Sequence, residues 1–290
     1  MKLFTKVFLL VVTISASLLV IPNWQTIESA DHGDAPALGT VFRNDAKLTD
    51  LFTFRDNNHL VIVLCADPNI PVGATEYAFQ DDVTFEINID RTTDVSYADS
   101  AANALYGGTV INPENIHPDI RFTITFEDGH PRMVVDGLHQ DQNAVSLFAG
   151  MRDDPFIRGP RIGRNIAAIV LKMPLPFVNK DQSQILVWAT SRVPQMPDPQ
   201  ADLAGRALRS MFTTTLNAMP PNQHTSLLGL APDVVIYDTR FDAVYPNGRG
   251  LNDDVVDLVG NPGLLASDAP FPSTNDRPHS RKFPYLAAPQ

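Results

Sequence analysis

The feature that most constrains this chain is a succession of short runs, either strictly alternating or wholly apolar, each cut off by turn residues. Residues 50–55, 60–66, 83–90, 121–127, 132–136, 146–150, 166–173 and 185–191 have this character. Gly, Pro, Asn or Asp bound several of them, as chain reversal requires. Within 83–90, Val83, Phe85, Ile87 and Ile89 alternate with Thr84, Glu86 and Asn88, which predicts a strand that buries one face. Residues 121–127, then Asp128-Gly129, then 132–135 read as a hairpin. Runs of this length and spacing predict a mainly β fold, a β-sandwich or an irregular barrel. A few helices are expected in the C-terminal third. Residues 200–216 place Leu203, Ala207, Met211 and Leu216 at helical spacing. Residues 251–259 offer a shorter helix, with Asn252 as N-cap and Asp253 and Asp254 in its first turn. From Asn261 the chain is rich in Pro, Ser and Asp and reads as an extended strap over 261–290, lying on the surface.

The first thirty residues have the layout of an export signal. Lys2 and Lys6 form a basic head, residues 7–21 an apolar middle, and Pro22 a break before a polar stretch ending in Glu28-Ser29-Ala30. Cleavage near Ser29 or Ala30 would leave one β-rich domain over 31–290. An uncleaved anchor is the alternative, and it would be the chain's only contact with a membrane. Its apolar run sits at the short edge of the roughly 17–25 residues that a span needs. No later run is apolar for long enough to cross a bilayer. The formal net charge of −11 argues against nucleic acid and anionic membrane surfaces as partners. Cys65 is the only cysteine, so no disulfide can form within the chain. Inside its apolar run it reads as a small packed hydrophobe. The expected location is periplasmic or extracellular.

Signatures of phosphate loops, dinucleotide sites, G-x-S-x-G elbows, H-E-x-x-H zinc sites and C-x-x-C-H haem sites are absent. Acidic clusters, a few histidines and one arginine-rich loop remain. His32 stands between Asp31 and Asp34, and Asp45, Asp50, Asp81-Asp82, Asp90 and Asp94 follow. Carboxylate oxygens suit calcium, while a histidine among carboxylates suits zinc, iron or manganese. The candidate ligands for calcium or another divalent cation are therefore His32, Asp34, Asp50, Asp81 and Asp82. Residues 88–94 superficially resemble a calcium loop but lack its glycine and terminal glutamate. Cleavage after Ser29 would also leave Ala30-Asp31-His32, a chelator for copper or nickel. Arg152, Arg158, Arg161 and Arg164 form the densest positive patch, a candidate anion site. Guanidiniums held by Gly and Pro can fork onto a carboxylate or phosphate, or pair with the chain's own acids. In 247–257 the acids read as a helix start, with Arg249 as their counterion. His59, His117, His130, His139, His224 and His279 read as surface histidines.

Several motifs taken together carry a resemblance. They are His32-Gly-Asp-Ala-Pro36, Asp50-Leu-Phe-Thr-Phe54, Phe79-Gln-Asp-Asp-Val-Thr-Phe-Glu-Ile-Asn88, Ala149-Gly-Met-Arg-Asp-Asp-Pro-Phe156, the 247–257 stretch and Phe283-Pro-Tyr-Leu286. In combination they resemble the bacterial DUF4331 family, a domain of unknown function. That family commonly opens with Ser-His-Arg-Glu-Ala-Pro, so Gly33 stands here where the family has arginine. The resemblance implies an exported, β-rich domain and imports no activity. Three functions are open. One is an exported binding or structural protein for a small molecule or surface partner, its acidic clusters holding a cation or locking with the arginines. Another is a metal-dependent enzyme, with His32, Asp34 and Asp50 around an ion and Asp82 as base. The third is a surface module holding an acidic partner through Arg158, Arg161 and Arg164.

Overall fold

The computed structural model describes residues 35–157, 163–179, 182–196, 199–209, 214–259 and 269–290. Their strands, in chain order, are β1 (Leu48–Asp56), β2 (His59–Ile70), β3 (Thr84–Asp90), β4 (Val95–Ser96), β5 (Thr109–Val110) and β6 (Ile120–Glu127). There follow β7 (His130–Asp136), β8 (Ser146–Asp153), β9 (Asn165–Pro174), β10 (Gln184–Arg192), β11 (Asp202–Ala204) and β12 (Val235–Asp238). All pairings are antiparallel. One sheet has the order β1-β2-β9-β8, and the other β11-β10-β3-β6-β7. β12 pairs with the first half of β10 and β11 with the second half, so the two short strands share one edge. The protein is a β-sandwich, and each of the eight expected strands is present.

The main core lies between the sheets. Leu60, Ile62 and Leu64 of β2 and Ile169 and Leu171 of β9 meet Phe85, Ile87 and Ile89 of β3 and Ile185 and Val187 of β10. A second core covers the opposite face of β2 and β9. There Val61, Val63, Cys65, Ala168 and Val170 pack under Leu251, Tyr285 and Leu286. Burial on both faces explains why these two strands read as continuous apolar runs. The second sheet is covered too: Leu186, Trp188 and Ile236 pack with Val110, Ile116 and Leu203. In β3 the polar alternates Glu86 and Asn88 are therefore buried rather than solvated, at 6% and 2% exposure.

Two helix expectations are corrected. Among the described residues of 200–216 there is no α-helix: Asp202–Ala204 is β11, a turn follows, and Thr214–Ala218 is a 3₁₀ segment. The Asp202 carboxylate accepts from Leu48 N and from its neighbour Leu203 N, both at 2.9 Å. Pairing with β10 and this buried anchor override the helical spacing. The later helix spans only Val255–Val259. Asp254 Oδ1 accepts from Asp257 N, three residues on, and so takes the capping role expected of Asn252. Among the described residues no helix is long and apolar enough to cross a membrane.

Candidate functional site

Residues 247–250 close one side of the sandwich. Arg249 N donates to Thr53 O and Thr53 N to Arg249 O, both at 3.0 Å, which adds one loop residue to edge strand β1. Gly248 N reaches Ile236 O of β12 at 2.8 Å. Gly248 has φ +71°, and a Cβ there would stand 2.7 Å from Thr53 O. Only glycine tolerates that approach. Asn247 Oδ1 accepts from Asp238 N, while Asp253 Oδ2 accepts from Tyr245 N and Gly250 N. The motif thus sutures β1 of one sheet to β12 of the other.

Arg249 is not the counterion of the acids beside it. Its Nη2 lies 2.7 Å from Asp50 Oδ1, and its guanidinium sits 4.1 Å over the Phe52 ring. Both side chains are buried. Asp50 faces Cys65 across the β1–β2 ladder. Burial first, then the charges of Asp50 and Asp154, push the Cys65 thiol well above its ordinary range. A thiol so placed is a packing group, not a nucleophile.

Residues 269–290 cross the outer face of β1, β2 and β9. Tyr285 donates its hydroxyl to Asp56 Oδ2 at 2.6 Å, and Lys172 Nζ donates to the same oxygen at 2.9 Å. These two donors, the tyrosine foremost, hold the Asp56 carboxyl below its usual range. Further along, Asn165 Oδ1 accepts from Gln290 N, and Asn165 Nδ2 donates to Gln290 O. The Asp153 carboxylate accepts from the side-chain amides of Gln290 and Asn275.

Between this segment, the loop after β12 and the end of β1 lies a cleft of about 800 Å³. Phe54, Leu251 and Tyr285 supply apolar surface, and Arg55, Arg277, Arg281 and His279 supply basic groups. Both acids on its walls are engaged: Asp242 with Arg55 at 2.8 Å, and Asp253 with the backbone N–H groups named above. A second cleft, of about 510 Å³, shares Arg277 and Ser280 and adds Arg152. Arg152 stacks 4.1 Å over the Phe148 ring and gives Nη1 to Met151 O. Burial lowers its pKa, with no acid to restore it. Arg277 gives Nη1 to Ala288 O and Pro289 O. Among the described residues none of Arg152, Arg277 and Arg281 pairs with a carboxylate.

The expected metal ligands separate into different neighbourhoods. His32 and Asp34 lie outside the described residues, as do Arg158 and Arg161. Asp50 is held by Arg249. Asp82 takes both ends of the Arg43 fork, at 2.7 and 3.0 Å, and Arg43 also grips Asp45. Asp81 accepts from Gly129 N at 3.3 Å. Among the described residues no three His, Cys, Asp or Glu side chains are grouped to hold a metal ion. The stretch 88–94 closes on itself, since Asp90 accepts from Thr92 N, Thr93 N, Thr93 Oγ1 and His117 N. Arg164 accepts from Asp154 N through its main-chain oxygen. His224 corrects the surface reading. It is fully buried, accepts from Asp233 N at Nδ1, and donates from Nε2 to Met219 O. Burial lowers its pKa.

No sequence expectation of a functional site falls on Arg55, Arg277 or Arg281. A signal existed: Arg277-Pro-His-Ser-Arg-Lys282 is a second basic cluster in an acidic chain, hidden within a segment read only as a strap. Comparison with protein families, curated proteins and solved structures gives no match. The likeness to the DUF4331 family rests on the motifs alone.

Proposed function

We propose that this is an exported binding protein that holds a small anionic ligand against the guanidiniums of segment 269–290. The observation that carries this reading is the gathering of Arg152, Arg277 and Arg281 around two adjoining clefts without a carboxylate partner among the described residues. Several other arginines of this acidic chain are neutralised internally, as Arg43, Arg192, Arg240 and Arg249 show. Planar forked donors with fixed geometry suit carboxylate or phosphate. Phe54 and Tyr285 meet edge to face, with centroids 5.6 Å apart, and give the larger cleft an apolar wall. The basic head and apolar run of residues 1–21 support export.

Calorimetric titration with citrate and with inorganic phosphate tests the proposal. At low salt at least one of them should bind saturably. The Arg277→Gln/Arg281→Gln variant should bind at least about tenfold more weakly. Raising salt from about 0.05 to about 0.5 M should weaken binding further, because the contacts are electrostatic. Absence of saturable heat, or equal affinity in the double variant, overturns it.

A further inference from the structure

The second sheet carries its own depression, on the face turned away from the main core. It holds about 240 Å³ and is rimmed by Pro118, Pro199, Pro220 and Pro221. Its floor is a two-by-two patch of the β3–β10 ladder: Trp188 opposite Asn88, and Thr190 opposite Glu86. All four residues are more than nine-tenths buried. Arg121 of β6 and Arg192 of β10 stand over them. Arg192 Nη2 lies 3.1 Å from Glu86 Oε2, and Arg121 Nε lies 3.7 Å from the same oxygen and 3.1 Å from Asn88 Oδ1.

These contacts use the acceptors Glu86 Oε2 and Asn88 Oδ1 and leave the rest of the floor unmatched. Among the described residues no hydrogen bond uses the Asn88 NH₂, the Thr190 hydroxyl, the Trp188 indole N–H or Glu86 Oε1. These polar groups are reached from the depression, where a ligand can replace water as their hydrogen-bond partner.

We propose that this depression binds a small carboxylate that also carries hydroxyl groups, of the size of one sugar acid. Of the lining residues, Arg121 and Arg192 face Glu86 alone, and with His117 neutral this leaves one excess positive charge for a single anionic group. The ligand carboxylate faces Arg121 and Arg192. Its hydroxyls, which both donate and accept, face Glu86 Oε1, the Asn88 NH₂ and the Thr190 hydroxyl. The volume is below the roughly 300–1,000 Å³ of sites for drug-sized ligands and suits one ring. A neutral sugar leaves the excess guanidinium charge unmet, and a simple carboxylate leaves the floor unmet.

Glucuronate is the probe, with glucose and acetate as controls that each keep one of its features. Titration of the full chain is followed by calorimetry and by tryptophan fluorescence in a Trp24→Phe background, where Trp188 is the only fluor of its kind. Glucuronate should saturate and change the Trp188 signal, while glucose and acetate bind at least about tenfold more weakly. Read by Trp188 fluorescence, Arg192→Gln and Asn88→Asp should each weaken glucuronate by about tenfold or more. Thr190→Val keeps every charge and should also weaken binding, which decides the matter if a charge variant misfolds. No saturation by glucuronate, equal binding of acetate or glucose, or unchanged affinity in folded Asn88→Asp and Thr190→Val overturns the proposal. The site is separate from the segment 269–290 clefts, so either assignment can fall without the other.

Discussion

Arg249 is a cation placed out of reach of water, and what it contributes depends on Asp50 staying opposite. Desolvating two charges offsets most of their attraction, so the pair adds little as a pair. Losing Arg249 takes a buried cation from beside the Asp50 carboxylate, 2.7 Å away, and leaves that carboxylate less compensated. Arg249→Met should therefore cost about 3–5 kcal/mol of unfolding free energy by urea denaturation. The Asp50→Asn/Arg249→Met double variant should lose clearly less than the sum of its two single variants. Strict additivity would show that the two side chains act independently. In the sequence Asp50 stands out as an acid at the start of a strand and Arg249 as a cation inside an Asn-Gly-Arg-Gly motif. Nothing local joins them. The join comes from the Thr53–Arg249 backbone bridge, a product of the sandwich closing along its edge. Local chemistry misled in the same loop, where Asp253 accepts from two backbone N–H groups and Arg249 turns to Asp50 instead.

At the level of elements, what was legible is what repeats. β2 and β9 announce themselves by apolar runs, and β3 and β6 by alternation, because those patterns are imposed by faces that stay buried along a whole strand. β11 and β12 are too short to carry a period, and their pairing to β10 is decided by neighbours distant in sequence. Segment 269–290 has no period at all. Its side chains are fastened one at a time, through Tyr285, Asn275 and Gln290. One of these fastenings titrates. Burial first, and the nearby charge of Asp276, outweigh the Gln290 and Asn275 amides and push the Asp153 carboxyl up to about 6. In the unfolded chain an aspartate titrates near 3.9. The folded form holds the proton more tightly, so stability from this site falls as pH rises from about 4 to about 6 and is lost above that. Asp153→Asn removes the titration. The Tm difference, variant minus wild type, should climb across that window and flatten above it. A difference that stays flat from about pH 4 to about pH 7 would show that Asp153 does not couple folding to protons.

For the molecule as a whole, the strap expected on the surface is the third layer of the structure. A four-stranded sheet apolar on both faces needs two covers: the second sheet is one, and segment 269–290 with Leu251 is the other. A layer held by few side chains can open without the sandwich unfolding, since local opening costs less than global unfolding. Cys65 lies fully buried beneath it and is the only thiol in the chain, so its modification reports that opening without interference. Tyr285→Ala removes an aromatic anchor at a cost of about 3–5 kcal/mol. If the layer opens by itself, labelling of Cys65 by an aromatic disulfide reagent at fixed pH should accelerate at least about a hundredfold in that variant. Ile87→Val weakens only the main core, by about 1 kcal/mol, and should leave the labelling rate of the folded protein unchanged. Rates that follow global stability in both variants would mean that Cys65 is reached only through complete unfolding. In that case the layer and the sandwich form one cooperative unit, and the proposed anion would have to enter the clefts beside Tyr285 without movement of segment 269–290.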